Sequence, residues 1–161
     1  MKNRAVILII GNIGSGKTTL AQKLYTKDFI IIDQDSIREM FGCGKYHYSD
    51  ETEPIIKKIS LELIAELSAS SIDFAIDGCL VSRQLRAPII DIIREESRKN
   101  DIHTGITAHV MPMLSKVEAL KRRMVNPRGI SKEVWSSVWD KFNEKWEHPI
   151  QSEGFDAIVT E

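Results

Sequence analysis

The sequence comprises 161 residues, of which 42% are hydrophobic and 28% are charged, and its formal net charge at pH 7 is −1. This length fits one domain, and the composition excludes a disordered, collagen-like or coiled-coil chain. The near-neutral charge also excludes a strongly basic surface that wraps long nucleic acid, because such binding requires many contacts between cations and phosphates.

Cysteine content and hydropathy indicate the cellular compartment in which the protein acts. Its two cysteines, Cys43 and Cys79, lack the spacing of a zinc site, so we expect reduced thiols. The N-terminal apolar run covers 5–10 and is shorter than the roughly 7–15 residues of an export signal. No stretch approaches the roughly 20 apolar residues of a membrane span. We therefore expect a cytoplasmic protein without a membrane partner.

Short apolar runs alternate with longer helical patterns along the chain, which is typical of βα units on a parallel sheet. The runs predicted to be strands are short and rich in β-branched residues, and they cover 5–10, 29–33, 74–77, 105–110 and 157–159. The first run is continuously apolar, which predicts a central strand that is buried on both faces. We expect one α/β domain over 1–161.

Four helices are expected after position 53, each near a residue suited to a helix N-terminus, namely Pro54, Ser82, Ser115 and Ser131. Apolar residues predicted to share a face of the first helix are Ile56, Ile59, Leu63 and Leu67. The last helix carries large apolar residues on one face, at Trp135, Val138, Trp139, Phe142 and Trp146. Helical spacing accounts for the three tryptophans as packing residues, which favours that role over a base-stacking surface.

The most specific motif is G-x4-G-K-T at 11–18, which follows an apolar run and opens a helical pattern. Its glycines allow positive φ and let backbone N–H groups surround a triphosphate. Lys17 is expected to reach the β- and γ-phosphates of that triphosphate, and Thr18 to offer its hydroxyl to Mg²⁺. The predicted nucleotide-binding residues are Gly11, Asn12, Ile13, Gly14, Ser15, Gly16, Lys17, Thr18 and Thr19. The alternative is a structural glycine turn.

Acidic residues follow the second and third apolar runs, where the carboxyl ends of parallel strands border the ligand crevice. Asp35 is predicted to be a general base that accepts the proton of an attacking hydroxyl. Arg38, one helical turn later, is expected to bind an anionic acceptor group. The alternatives are a helix cap at Asp35 or Ser36 and a solvated Arg38. Asp77 is predicted to anchor Mg²⁺ or, alternatively, to cap a helix or orient the acceptor.

A basic cluster lies near the C-terminal third of the chain. Between Ser115 and Glu133, six lysines and arginines face two acids, a net charge of +4. Asn-Pro-Arg-Gly interrupts two helical patterns here, which predicts a lid around 122–131 that closes over the phosphates and excludes water. Arg128, with Arg122 or Arg123, is expected to stabilise the transferred charge. The alternative is a solvated helix face.

These residues resemble P-loop kinases of the polynucleotide 5′-hydroxyl kinase type, within the zeta-toxin-like ATP-binding kinases, over nearly the whole chain. Asp-Ser-Ile-Arg at 35–38 is similar to the Asp-x-x-Arg segment that supplies the base and an acceptor-phosphate arginine in those enzymes. The arginine-rich lid is also similar to theirs. The segments 146–149 and 152–158 together resemble an "E-x-P…E-G-F" ending of those kinase domains. The chain departs from the family at 77–80, where Asp-Gly-Cys-Leu replaces a segment that often contains Thr-Asn.

The resemblance implies a three-layer αβα sandwich with sheet order 2-3-1-4-5, and a kinase that uses ATP and Mg²⁺. The implied acceptor is the 5′-hydroxyl end of DNA or RNA. The length leaves no room for an attached phosphatase or ligase domain, so we expect a kinase domain alone.

Two other functions are compatible with the sequence. One is a kinase for a small hydroxyl-bearing molecule such as a sugar, nucleoside or antibiotic. The region 42–53 could form part of either acceptor site, with Tyr46, His47 and Tyr48 stacking on a base. The other is a nucleotide-dependent switch, which is disfavoured because no downstream Asn-Lys-x-Asp element for reading guanine is present.

Overall fold

The computed structural model describes residues 2–161 and contains a five-stranded parallel sheet. Its strands are β1 (Lys2–Ile10), β2 (Ile30–Asp33), β3 (Phe74–Gly78), β4 (Ile102–Val110) and β5 (Ala157–Thr160). The order across the sheet is β2-β3-β1-β4-β5. The predicted α/β class, the five strands and their order are therefore confirmed.

Helices cover both faces of this sheet. They are α1 (Lys17–Tyr25), α2 (Gln34–Phe41), α3 (Glu53–Ser68), α4 (Arg83–Lys99), α5 (Lys116–Arg123) and α6 (Lys132–Glu144), with a short 3₁₀ turn at Gln151–Glu153. Within residues 2–161, none of the helices has the length and apolar character needed to cross a bilayer.

Hydroxyl caps fix the start of two helices that flank the basic cluster. The Ser115 hydroxyl accepts a hydrogen bond from the backbone N–H of Glu118, and the Ser131 hydroxyl accepts one from that of Val134. These contacts satisfy N–H groups that have no partner within the helix. Both predicted N-termini are confirmed, and Ser82 precedes α4 as expected, although its side chain makes no capping hydrogen bond.

The inward face of α3 differs from the predicted one. Its buried residues are Ile56, Ser60, Ile64 and Ser68, whereas the predicted Leu63 is 44% exposed. Two of the four inward positions carry serine, which apolar spacing does not detect. One of them, Ser60, accepts a hydrogen bond from the side-chain amide of Gln34 at 2.9 Å, so a polar contact between α2 and α3 helps to set the rotation of α3.

Strand β1 lies in the centre of the core, as its continuous hydrophobicity predicts. Val6, Leu8 and Ile10 join the larger cluster, while Ile9 joins a second cluster against α1. Successive side chains of a strand point to opposite faces, so β1 is covered by helices on both sides. This burial fixes the position of the glycine loop that follows Ile10.

The C-terminal segment is held by a buried arginine that sequence analysis did not single out. Arg86 in α4 is fully buried and donates two hydrogen bonds to the Glu153 carboxylate, at 2.7 and 2.9 Å. It also donates to the carbonyl oxygens of Leu80 and Glu147. The C-terminal segment that resembles the ending of those kinase domains is therefore attached to α4 by the buried pair of Arg86 and Glu153, which we call the clamp.

Candidate active site

The glycine loop that follows β1 turns sharply into α1. Gly14 and Gly16 have φ values of +72° and +99°, which L side chains rarely adopt. A Cβ atom added to Gly14 would lie 2.5 Å from the carbonyl oxygen of Ala119. The loop thus requires glycine both for its backbone conformation and for its close contact with α5.

The glycine loop contains two side chains suited to binding a phosphate, those of Lys17 and Ser15. The Asn12 side chain accepts from the N–H of Ile13 at 2.7 Å and donates to the carbonyl of Trp139, so it attaches the loop to α6. The buried Lys17 ammonium donates to the carbonyl of Asn12 at 2.8 Å. The buried Ser15 hydroxyl has no hydrogen-bond partner within residues 2–161. Ser15 therefore has hydrogen-bonding capacity that a phosphate oxygen would use.

The side chains of Thr18 and Asp77 form a hydrogen bond next to the glycine loop. The Thr18 hydroxyl donates to Asp77 Oδ2 at 3.0 Å, and Asp77 lies on β3, whose register places it beside Asp33 of β2. Burial raises the pKa of Asp77, and the nearby Lys17 ammonium opposes this rise. Thr19, the next residue, lies in α1 with an exposed side chain.

This pair fits a magnesium ion better than a transition metal. In the described part of the chain, no cluster of three or more histidine, cysteine or acidic residues could hold a metal. Mg²⁺ usually keeps several waters and binds one or two protein oxygens together with substrate phosphates. A hydroxyl and a carboxylate beside a phosphate-binding loop match that donor set.

Asp33, rather than Asp35 or Ser36, caps α2. Its carboxylate accepts hydrogen bonds from the backbone N–H groups of Asp35 and Ser36, at 2.9 and 3.2 Å. The alternative in which Asp35 or Ser36 caps the helix is therefore wrong. Because Asp33 satisfies the helix N-terminus, the carboxylate of Asp35 is left to face the site.

Three side chains donate hydrogen bonds to Asp35. Oδ1 accepts from Arg38 at 2.7 Å and from the Tyr46 hydroxyl at 3.2 Å, and Oδ2 accepts from Arg128. Burial alone would raise the pKa of Asp35, but the positive charges of Arg128, Arg38 and Arg123 outweigh it and hold the pKa below its usual value. Asp35 is consequently ionised at neutral pH.

Arg38 is bound by two carboxylates and is not a solvated surface residue. Besides Asp35, it pairs with Glu53, the first residue of α3, through two parallel hydrogen bonds of 2.8 and 2.5 Å. Its side chain is only 12% exposed. Burial opposes the charge of Arg38, but the hydrogen bonds to Glu53 and the nearby negative charges raise its pKa overall.

The segment predicted to be a lid, 122–131, consists of the end of α5 and the turn that leads to α6. Arg122 is 51% exposed and pairs with Glu118 on its own helix. Arg123 instead lies over the Trp135 ring at 4.3 Å, and its buried Nε has no partner in the described part of the chain. Arg128 has a φ of +56° and contacts Asp35 directly. Arg123 and Arg128, but not Arg122, therefore lie on the side of Asp35.

Sequence analysis missed Glu53 and the contact between Tyr46 and Asp35. Glu53 lies 15 positions after Arg38, across a loop without periodicity, so no spacing rule connects the two residues. Tyr46 was identified only as one of three loop aromatics, and only the fold distinguishes it from His47 and Tyr48. The only sequence signal for the contact with Glu53 is charge, because several acidic residues follow Arg38 in or next to the loop after α2.

A family model described as Zeta toxin matches residues 2–159 of the chain. A comparison with curated proteins gave no match.

Solved structures of P-loop kinases share the fold. A putative kinase from Chloroflexus aurantiacus is 17% identical with a TM-score of 0.72, over 100% of this chain and 86% of that chain. A fungal RNA kinase is 17% identical with a TM-score of 0.64, over 99% and 75%. The Mycobacterium tuberculosis APS kinase, solved with AMPPNP and APS, is 15% identical with a TM-score of 0.55, over 97% and 87%. The predicted P-loop kinase fold is thus confirmed, and identities this low say nothing of the acceptor.

Proposed function

Because the chain belongs to the zeta toxin family, we propose that it is a kinase that transfers the γ-phosphate of ATP to an alcohol. The observation that carries this proposal is the position of an ionised carboxylate, Asp35, in the first turn of α2. This helix begins where β2 ends, beside the strand that carries Asp77 of the Thr18–Asp77 pair. A phosphate-binding loop alone would suit any nucleotide-binding protein. A base beside it is required only where a hydroxyl is to be deprotonated.

The nucleotide is proposed to bind at the glycine loop. Backbone N–H groups and Lys17 would contact the β- and γ-phosphates, and the unpartnered hydroxyl of Ser15 would gain an acceptor. Thr18 and Asp77 would hold Mg²⁺, which when bound neutralises phosphate charge. The helix dipole of α1 adds favourable potential at the same place.

Asp35 is proposed to act as the general base. The acceptor oxygen forms a bond to the γ-phosphorus, the bond from that phosphorus to the bridging oxygen of ADP breaks, and the hydroxyl proton passes to Asp35. Lys17 and the lid arginines stabilise the charge that develops on the phosphoryl and leaving oxygens. Protonated Asp35 then returns its proton to solvent, because the positive charge of Arg38, which contacts Oδ1, favours the ionised carboxylate.

Arg123 and Arg128 are proposed as the lid arginines. Arg122 is not proposed for this role, because it is 51% exposed and pairs with Glu118 on its own helix. In the structure Arg128 donates to Asp35 Oδ2, the oxygen that an acceptor hydroxyl would need. A bound triphosphate carries more negative charge than one carboxylate, so we expect Arg128 to move to the phosphates and release Oδ2.

The first candidate acceptor is the 5′-hydroxyl end of DNA or RNA. Arg38 lies one helical turn after Asp35, where a nucleic-acid phosphate next to the reacting hydroxyl could be bound. Three of its five N–H groups donate to carboxylates, which leaves two for a phosphate. The acceptor end needs only a few such contacts, so the net charge of −1 does not oppose it.

A second candidate, a small uncharged alcohol, is favoured by the pair between Arg38 and Glu53. This pair and Asp35 place two negative charges around one positive charge. A phosphate-bearing acceptor would have to compete with Glu53 for the guanidinium, whereas a sugar or nucleoside hydroxyl would not. The same fold would serve both candidates.

An acceptor panel with labelled ATP tests the proposal. We expect transfer to at least one member of a set of 5′-hydroxyl oligonucleotides, nucleosides and sugars, with Lys17→Ala and Asp35→Asn as inactive controls. Label on oligonucleotides supports the first candidate, and label on small molecules alone supports the second. Failure to label any acceptor, in a preparation shown to bind ATP, would contradict phosphotransfer to an alcohol.

A further inference from the structure

The loop that follows α2 returns one tyrosine to the candidate active site. Cys43 and Gly44 both have positive φ, at +53° and +88°, and the N–H of Gly44 donates to the carbonyl of Glu39 at 2.8 Å. These two residues reverse the chain at the end of α2. As a result Tyr46 lies against Asp35, while its neighbour Tyr48 is 61% exposed.

Tyr46 makes three contacts with the charged groups of the site. Its hydroxyl donates to Asp35 Oδ1 at 3.2 Å. Its ring lies 5.2 Å from the guanidinium carbon of Arg128 and 5.9 Å from that of Arg38, both within the range of a cation–π interaction. The ring therefore packs against two arginines of the site.

We propose that Tyr46 is a positioning residue for the phosphotransfer reaction, which holds Asp35 through its hydroxyl and Arg128 through its ring. This inference rests on the proposed function. Tyr46 and Arg38 share Oδ1, so the carboxylate cannot rotate freely and Oδ2 is the oxygen that faces the acceptor. When Arg128 leaves Oδ2, the hydroxyl of Tyr46 keeps Asp35 in the orientation that proton transfer requires.

The hydroxyl of Tyr46 is suited to this role because it remains a donor. Burial and the negative charge of Asp35 raise the pKa of Tyr46 to about 12, although the two arginines oppose this. At neutral pH the group is therefore protonated. The charged and titratable side chains that surround Asp35 belong to β2, α2, the 42–52 loop, β3 and the lid segment, and they are Asp33, Arg38, Tyr46, Asp77, Arg123 and Arg128.

Two substitutions separate the roles of the ring and the hydroxyl. Tyr46→Phe removes the hydrogen bond to Asp35 and keeps a ring for the arginines. We expect it to lower kcat roughly tenfold, the effect of losing one hydrogen bond to a charged group, and to leave KM for ATP unchanged. Tyr46→Leu also removes the ring, so we expect a further loss of kcat together with a higher KM for ATP, because Arg128 loses its support.

Tyr25 provides the matched control. It is the last residue of α1 and is 67% exposed, so Tyr25→Phe and Tyr25→Leu should retain the kcat and KM of the wild type. Thermal unfolding of all four variants shows whether any of them loses its fold. If Tyr46→Leu does so, Tyr46→Phe still tests the hydroxyl.

A second measurement does not depend on activity. The ¹³C resonance of the Asp35 carboxyl is followed by NMR as a function of pH in wild type and Tyr46→Phe. Loss of a hydrogen bond to the carboxylate destabilises its ionised form, so the titration midpoint should be higher in the variant. A merely structural tyrosine would not move this midpoint.

The outcomes distinguish the two proposals. An active wild type with a slower Tyr46→Phe and a raised Asp35 midpoint supports the positioning role. A Tyr46→Phe variant with wild-type kcat, or with an unchanged Asp35 titration, overturns it. If the wild type transfers phosphate to no acceptor, the proposed function fails and takes with it any role of Tyr46 in phosphotransfer.

Discussion

Arg128 and Asp35 are 93 positions apart in the sequence, and they form an ion pair at the carboxyl ends of the strands. The pair joins the turn between α5 and α6 to the first turn of α2. It also occupies the carboxylate oxygen that the proposed reaction needs. We therefore propose that the same arginine holds Asp35 before ATP binds and contacts the phosphates afterwards.

Arg128→Ala tests the second of these roles. We expect kcat for phosphotransfer to fall by about 10²–10³-fold, the usual cost of removing one group that stabilises transition-state charge. Arg122→Ala is the matched control, since Arg122 lies in α5, is 51% exposed and pairs with Glu118. Steady-state kinetics at saturating ATP provide the comparison. Equal losses in both variants would indicate a general charge effect rather than a role for Arg128.

Asp35→Asn tests the general base. The amide cannot accept the proton, so we expect kcat to fall by about 10²–10⁴-fold. Affinity for ATP should change little, because Asp35 is proposed to contact the acceptor and lies outside the glycine loop. Isothermal titration calorimetry measures binding, and a labelled-phosphate assay measures turnover. Unaltered turnover would remove Asp35 from this role.

The lowered pKa of Asp35 also predicts a pH dependence of stability. A carboxyl whose pKa is lower in the folded than in the unfolded protein stabilises the fold above its unfolded pKa, about 3.9 for aspartate. That contribution is lost as the pH falls through the folded-state pKa. The difference in unfolding free energy between wild type and Asp35→Asn should therefore be largest near neutral pH and decrease in acid.

Urea unfolding at a series of pH values measures this dependence. Repeating the comparison in an Arg128→Ala background provides the control, because the positive charge of Arg128 is the largest of those that lower the pKa of Asp35. The pH dependence should be weaker in that background. An equal dependence in both backgrounds would show that Arg128 does not stabilise the ionised carboxylate.

Local patterns in the sequence were sufficient to predict the strands, the glycine loop and the serine caps. Each of these depends on neighbours a few residues away, such as the alternation of apolar runs or the hydroxyl of Ser131 before its helix. The contacts around Asp35 depend instead on loop paths. No local rule connects Arg38 to Glu53, or distinguishes Tyr46 from Tyr48, because these relationships arise only when the 42–52 loop folds back over α2.

Burial explains the other residues that sequence patterns did not reveal. The inward face of α3 contains Ser60 and Ser68, which a search for apolar spacing overlooks. A fully buried Arg86 is equally unexpected, since charged side chains are almost never buried without a partner. Its partner, Glu153, lies 67 positions away. Sequence spacing alone therefore cannot identify this pair.

Breaking the buried pair should strongly destabilise the protein. Glu153→Gln leaves the charge of Arg86 buried without a carboxylate, and we expect the free energy of unfolding to fall by about 3–5 kcal/mol. The exposed pair of Lys58 and Glu62, with an N–O distance of 3.7 Å, provides the control, and Glu62→Gln should cost about 0–1 kcal/mol. Urea unfolding measures both. Similar costs would mean that the clamp contributes no more than a surface pair.

Glu53→Gln tests which acceptor the site selects. The substitution removes the carboxylate that balances Arg38, so the guanidinium becomes available to an anionic group. We expect kcat/KM for 5′-hydroxyl oligonucleotides to rise relative to that for uncharged alcohols, by up to about tenfold for one charge-assisted contact. Glu62→Gln, at an exposed position further along α3, makes the same change of charge and is the control for nonspecific charge effects. An unchanged ratio of kcat/KM for the two kinds of acceptor would show that the pair of Arg38 and Glu53 does not determine specificity. In that case the arginine, although released from Glu53, gives an acceptor phosphate no additional contact.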